Sequence, residues 1–412
     1  MGARRFPQGF LWGTSSAAHQ VEGDNRNNDW WEFEQQPGRI AGGDTSEVAC
    51  DHYNRYREDV ALLREMKQNA HRLSIEWSRI EPAEGEFDQR QLRHYRDELG
   101  ELREQGILPM VTLHHFSSPL WFAHRGGWVA AGSPDAFLRF VRKAVDELGD
   151  LVHMWCTINE PTIYAANGWI TGEFPPGRRA DLAGQYRVTR NMHRAHEMAY
   201  VAIKKRWPDS PVGLSHHKFL FLPASDTRRD RLAARTAQMV VDRWPVGPGR
   251  LQRVVEATSD YIGIAHYWAQ ACAFDPRRPQ DQFIRRFNVP GAPVTDMGWS
   301  ADPRWMRDVL GELRALGKPV YVTENGLATE DDEARQRYLI DILTSVAGAI
   351  DDGVDVRGYF HWTNMDNFEW ARGYGPKFGL ISVDRTSLER NVKASGRLYA
   401  RIATANALPE GK

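Results

Sequence analysis

Thr157-Ile158-Asn159-Glu160-Pro161 closes an apolar run, Leu151 to Ile158, that is short and bounded like a buried β-strand. An amide and a carboxyl stand side by side where that run stops. A charge at the end of a buried strand calls for a partner or a task. Far downstream, Tyr321-Val322-Thr323-Glu324-Asn325-Gly326 repeats the arrangement, an apolar run ending in a glutamate.

Working outward from these two ends, short strand-like runs alternate with longer helical ones. Phe10 to Thr14 is the first run. Tyr53, Tyr56, Val60 and Leu63 recur at helical spacing before the second, Ala70 to Ile75. Leu92, Tyr95, Leu99 and Leu102 form a stripe that stops at Gly106, ahead of the third strand, Leu108 to Leu113. Ser133-Pro134-Asp135 opens a helix that buries Phe137, Val141, Ala144 and Leu148 and stops at Gly149, before the strand that ends at Glu160. A long loop is expected from Tyr164 to about Gln185, then a helical segment holding Met192 to Ile203 and a fifth strand, Val212 to His216. Asp260 to His266, Pro319 to Thr323 and Val356 to Trp362 are the remaining strands, with helices around Trp305 to Leu316 and Leu339 to Ile350. Such alternation, without linker, repeat or low-complexity break, predicts an α/β fold: one (β/α)8 TIM barrel over residues 1–412, its core at about 6–402.

Barrel sites form at the carboxyl ends of the strands, and the polar candidates fall there. Gln20 follows strand one, Arg72 lies in strand two, and His114 and His115 end strand three. Asn159 and Glu160 end strand four, Tyr267 strand six, Glu324 strand seven and Trp362 strand eight. His114 and His115 point to opposite faces of a strand, so at most one faces the barrel mouth. His193 and His196, one helical turn apart, read as a surface pair, not as metal ligands.

Composition excludes several classes. The 412 residues, 42% hydrophobic, can bury a large core, and 53 basic against 54 acidic residues leave a formal charge of −1. This balance argues against nucleic acid or an anionic membrane as a partner. The arginine pairs 228/229, 277/278 and 285/286 are scattered and read as solvated surface. Cys50, Cys156 and Cys272 lie far apart with no C-x-x-C spacing, no stretch approaches a membrane span, and no apolar segment follows Arg4-Arg5. A cytoplasmic location is the expectation.

Two carboxyls that flank a glycosidic bond suffice to cleave it, one protonating the departing oxygen and the other attacking the oxocarbenium-like carbon. In a retaining enzyme they stand about 5–5.5 Å apart, so the charge on one keeps the proton on the other. Arg72, if it reaches Glu324, would hold that residue ionised and leave Glu160 as the acid. The 15 tryptophans, several beside polar residues, suit a ligand with apolar C–H faces and a fringe of hydroxyls. Trp362-Thr363-Asn364-Met365-Asp366-Asn367-Phe368-Glu369-Trp370 offers both kinds of group.

Taken together, the motifs resemble glycoside hydrolase family 1, the β-glucosidase family, from Phe6 to about Tyr399. They are Phe10-Leu11-Trp12-Gly13 with Gln20-Val21-Glu22-Gly23, Arg72-Leu73-Ser74-Ile75-Glu76-Trp77-Ser78-Arg79, Thr157 to Pro161, Thr323 to Gly326, and Asn367-Phe368-Glu369-Trp370. The resemblance implies a retaining β-glycosidase acting on small-molecule β-glycosides, without metal or organic cofactor, with Glu160 as acid/base and Glu324 as nucleophile. It further implies that Gln20, His115, Asn159, Glu369 and Trp370 hold the glycone, that Trp362 is the platform beneath it, and that Arg72 and Tyr267 orient Glu324. Phe378 would wall the sugar near its 6-position. An acidic Glu369 would repel phosphate, so an unphosphorylated glycone is expected.

The chain departs from the family in three places. His115-Phe116-Ser117 stands where His-Trp-Asp is frequent, and Phe116 cannot donate an indole hydrogen bond. Ala265-His266 replaces Asn-Tyr before Tyr267, and the segment between Ala233 and Asp260 looks abbreviated. The choice among gluco, galacto and fuco sugars, the aglycone and the oligomeric state stay open. Two other readings compete: a transglycosidase with an alcohol acceptor, and a non-catalytic sugar-binding barrel, which the presence of both glutamates disfavours.

Overall fold

The alternating runs fold as eight parallel strands in a computed structural model that describes residues 4–239, 241, 250–278 and 281–409. They are β1 (Leu11–Ser15), β2 (Ala70–Ser74), β3 (Leu108–Thr112), β4 (Met154–Asn159), β5 (Val212–His217), β6 (Ile262–Ala265), β7 (Val320–Asn325) and β8 (Val356–Trp362). Each pairs with its neighbours in sequence, and β1 closes the barrel against β8 with Leu11 opposite Gly358 and Ser15 opposite Trp362. Leu11, Ala70, Met110, Met154, Tyr261 and Phe360 meet inside as an apolar plug. That layer carries no charge and leaves the barrel's polar groups to the carboxyl ends of the strands, where the chemistry of such barrels sits.

The helices follow from their buried stripes. Ser133–Leu148 has Pro134 in its first turn and buries Phe137, Phe140, Val141, Ala144 and Leu148. It stops at Gly149 for reasons of space, since a Cβ there would stand 2.0 Å from the Trp207 indole nitrogen, which donates to Val145 O at 3.1 Å. The long loop expected from Tyr164 to Gln185 is largely helical instead. Pro161–Ala166 and Asn167–Thr171 are helical turns, and a helix begins at Leu182, where the Asp181 carboxylate accepts from Gly184 N, and runs to Arg206.

His193 and His196 do not form a surface pair. They lie on the same buried stripe as Met192, Ala195 and Ala199, 1% and 0% exposed. His196 Nδ1 lies 2.7 Å from Thr157 Oγ1 and His193 Nδ1 lies 2.7 Å from Thr189 O, so the first of these rings ties the helix to β4. Burial pushes His196 down to about 3, which keeps it neutral.

Elements beyond the expected pattern decorate the barrel. A small sheet joins Leu220–Pro223, Ala269–Phe274 and Ile284–Asn288, and a hairpin pairs Ile381–Val383 with Arg390–Val392 ahead of a final helix, Ala394–Ala405. The segment expected to be short between Ala233 and Asp260 includes residues 240 and 242–249, which lie outside the described residues. The three arginine pairs are exposed, and Cys50, Cys156 and Cys272 are buried and unpaired. Among the described residues no helix is long and apolar enough to cross a membrane.

Candidate active site

Both glutamates are aimed by the way their strands end. Glu160 follows β4 with φ +39°, a left-handed conformation uncommon for a side chain of its size, and its amide donates to Ser215 O at 2.9 Å while its carbonyl accepts from Tyr164 N. The chain thus turns from strand to helix at the carboxyl-bearing residue itself. Glu324 lies in β7, where the register against β6 shifts between Val322 and Glu324, an irregularity of the kind that re-aims a side chain. Two residues on, a Cβ on Gly326 would stand 1.9 Å from Trp362 O, so only glycine lets the ends of β7 and β8 come this close.

Glu324 is held from two sides. Arg72 Nη1 donates to its Oε1 at 2.5 Å and the Tyr267 hydroxyl donates to its Oε2 at 2.9 Å. Arg72, fully buried in β2, also donates through Nη2 to Asn159 Oδ1 at 2.6 Å. That contact leaves the Asn159 amide NH2 to face His115 Nε2 at 3.0 Å. Burial pushes His115 well below its usual range, so the ring is neutral. A neutral ring accepting at Nε2 carries its proton on Nδ1, and Nδ1 is buried with no protein partner. Burial raises the Glu324 carboxyl above the ordinary 4.5; the Arg72 charge opposes this and the charge of Glu160 adds to it. Burial and the Glu324 charge keep the Tyr267 phenol protonated, hence a donor.

Glu160 and Glu324 line one cavity of about 910 Å3. Glu160 Oε1 lies 2.8 Å from His217 Nδ1, and the other nitrogen of that ring is buried without a protein partner. Further round the wall, Glu369 is pushed up to about 8 by burial, opposed by a hydrogen bond with Trp362 and reinforced by the charge of Glu324. Gln20 Nε2 donates to Phe368 O at 2.9 Å, to Asn367 Oδ1 at 3.2 Å and to Glu369 Oε2 at 3.3 Å, which leaves Gln20 Oε1 buried and unpartnered. Trp362 lies 5.7 Å from the His115 ring, and Trp370, at φ +51°, stacks at 6.1 Å on the same ring and at 5.9 Å on His19. Phe116, at φ +69°, packs on Trp370 and Phe174.

Eight of the side chains singled out from the sequence, His115, Glu160, Tyr267, Glu324, Trp362, Glu369, Trp370 and Phe378, border this cavity. Arg72, Asn159 and Gln20 stand behind them, each hydrogen-bonded to a bordering residue. His114 turns the other way, with its Nε2 3.1 Å from the Trp128 indole nitrogen and 3.2 Å from Ser118 Oγ. His266 is likewise turned out, its Nδ1 2.8 Å from Lys218 O. The sequence reading missed His217. The expected fifth strand stops at His216, one residue short of the observed end, and of two adjacent histidines on a strand at most one faces the barrel mouth.

Comparison with known proteins bears on this arrangement. Residues 3–250 and 249–408 match the model of Glycosyl hydrolase family 1. The chain is 32% identical to beta-glucosidase A of Thermotoga maritima over the full length of both proteins. Among solved structures it is similar to the beta-glycosidase from Pyrococcus horikoshii, with 35% identity, a TM-score of 0.91 and coverage of 99% of this chain and 97% of that one. It is equally similar to the Thermotoga maritima beta-glucosidase in complex with glucoimidazole, with 31% identity, a TM-score of 0.93 and coverage of 98% and 100%.

Proposed function

Because the chain belongs to glycosyl hydrolase family 1, we propose that it hydrolyses terminal β-D-glycosides, glucosides foremost, with retention of configuration and with Glu324 as nucleophile and Glu160 as acid/base. The observation that carries the assignment is the unequal setting of two glutamates on one cavity. Glu324 receives hydrogen bonds from a guanidinium and a phenol, whereas Glu160 has a single imidazole neighbour. Arg72 and Tyr267 therefore favour the charged form of Glu324, the form a nucleophile needs, and the acid/base role falls to Glu160.

In the first step a Glu324 oxygen bonds to the anomeric carbon as the bond from that carbon to the leaving oxygen breaks, and the Glu160 proton moves to the departing alcohol. Glu160, now a carboxylate, then takes a proton from water as the water oxygen attacks the same carbon, the ester bond breaks and Glu324 is freed. The Nδ1–H of His115, unpartnered on a ring that borders the cavity, would meet a sugar hydroxyl, with Asn159 behind His115 and Gln20 behind Glu369 supporting the glycone, Trp370 beside them, Trp362 as the platform and Phe378 as the wall. Residues 1–412 serve as one catalytic domain, and the buried unpaired cysteines favour a cytoplasmic location. A panel of 4-nitrophenyl β-glycosides differing only in the sugar tests the reading: glucoside hydrolysis with β-glucose as the first-formed product supports it, and α-glucose or no turnover refutes it.

A further inference from the structure

Trp370 borders the cavity from a segment that lies outside the eight barrel strands, and its left-handed backbone is uncommon for so large a side chain. Its neighbours must therefore hold it. Trp30 tilts against the indole at 4.6 Å, and the His19 ring, which does not border the cavity, lies 5.9 Å away with the two planes only 11° apart. The setting of the His19 ring can be traced through its polar contacts. Asn28 caps the helix Asp29–Glu34, its Oδ1 accepting from Trp31 N at 2.8 Å, so its amide nitrogen is left to donate to Asn25 O at 2.9 Å and to His19 Nδ1 at 3.1 Å. His19 Nδ1 is thus an acceptor, and the ring proton sits on Nε2. That nitrogen faces Glu34 Oε2 at 3.6 Å, and both side chains are buried with no hydrogen-bond partner at either atom.

The other oxygen of Glu34 leads back to the same segment by a second route. Oε1 accepts from Ser46 N at 3.1 Å and from Ser46 Oγ at 2.9 Å. Two residues earlier, Asp44 Oδ2 accepts from Tyr374 N at 2.8 Å, and Thr45 O accepts from the Tyr374 hydroxyl at 2.9 Å. Glu34 therefore stands where two arms meet, one running through His19 to the indole of Trp370 and the other through residues 44–46 to the backbone four residues further on. A carboxyl is costly to bury unless its neighbours are polar and fixed, and no step of the reaction uses this one. Building on the β-glucosidase reading, in which Trp370 holds the glycone, we infer that Glu34 and His19 are positioning residues that set the Trp370 segment against the sugar. Glu34 orients the His19 ring, and that ring sets the plane of the indole. Such a device acts on the glycone alone, so its loss is felt equally whatever group departs.

The test is a double-mutant cycle of Glu34→Gln and His19→Leu, read in kcat/KM for 4-nitrophenyl and hexyl β-D-glucosides and in Ki for glucoimidazole. Each single change should lower kcat/KM roughly five- to tenfold, the scale of one aromatic stack, by the same factor on both glucosides. Ki should rise in parallel, since a contact to the glycone serves inhibitor and transition state alike. The double variant should be no worse than His19→Leu, because the two residues act through each other. His19→Phe, which keeps a ring against the indole, should recover most of the loss. Losses that add, that differ between the two leaving groups, or that lower Tm while Ki stays put overturn the inference. Asp44→Ala, in a half-buried loop, cuts the backbone arm alone and covers the case of a buried variant that does not fold. It should raise Ki about threefold, and an unchanged Ki counts against the inference. The unaltered protein separates the two levels: without turnover of 4-nitrophenyl β-D-glucoside the glucosidase reading falls and takes this one with it, whereas turnover with variants that match the parent removes this one alone.

Discussion

His217 Nδ1 and Glu160 Oε1 stand 2.8 Å apart, both side chains buried, at the ends of adjacent strands β5 and β4. On the proposed mechanism the contact orients the carboxyl that meets the departing oxygen, which would make His217 a positioning residue. His217→Leu should lower kcat/KM for alkyl glucosides by about tenfold, a fraction of the 10²–10⁴ that general acid catalysis supplies, and should change the 2,4-dinitrophenyl glucoside, which needs no acid, far less. His217→Asn, which keeps a donor, should recover part of the loss. Equal losses on both substrates would reduce the contact to packing.

The assigned roles separate under substitution. Glu160→Ala should cost roughly 10²–10⁴ in kcat/KM for alkyl glucosides and little for substrates with acidic leaving groups. Glu324→Gly should lose about 10⁴-fold or more on every substrate, and added azide should restore turnover with α-glucosyl azide as the product. A β-azide or no rescue contradicts the nucleophile assignment.

Arg72 is the charge that works against burial at Glu324. The ascending limb of kcat/KM against pH reports the free enzyme's essential base, and it should lie above the ordinary carboxylate value of 4.5. Removing the cation raises that group further, so Arg72→Met should move the limb to higher pH. A limb that stays in place would detach Arg72 from the ionisation of Glu324.

A second buried network controls stability. His52 lies 2.7 Å from Asp59 and 2.9 Å from Glu98, and Arg390 donates to Asp59 at 2.8 Å, which joins the helices His52–Glu65 and Gln89–Glu104 to the C-terminal hairpin. Burial alone would lower His52, but hydrogen bonds to Asp59 and Glu98 outweigh it and push the ring from 6.5 up to about 10. The native state thus holds a proton that the unfolded chain gives up above 6.5. The stabilisation is complete below pH 6.5 and is lost as pH rises through 10. His52→Leu should lower stability by about 3 kcal/mol at pH 6, roughly 3–4 °C in Tm for a chain of this length, and the deficit should shrink toward pH 10. A deficit independent of pH would refute the charged ring.

All eight barrel strands were legible in the sequence because each pairs an apolar run with an abrupt polar end, and the glutamates at two of those ends fixed the reading. What escaped notice depends on context that periodicity does not carry. His193 and His196 sit on a stripe whose small members, Ala195 and Ala199, bury a helix face without looking apolar enough to announce it. The helical turns at Asn167–Thr171 and the three-stranded sheet are short and owe their shape to packing on the barrel. His217 lies one residue past the end that its apolar run implies for the fifth strand. Arg72, Asn159 and Gln20 could be named from motifs, but only coordinates reveal that they reach the cavity through Glu324, His115 and Glu369.

Gly326 leaves a hydrogen's width between its own backbone and the carbonyl of Trp362. Any methyl group there would act as a wedge, prising the strand that carries one of the glutamates from the strand that carries the tryptophan floor. The separation of those two strand ends is therefore set by main chain, and no rotamer change elsewhere could restore it once that gap is filled.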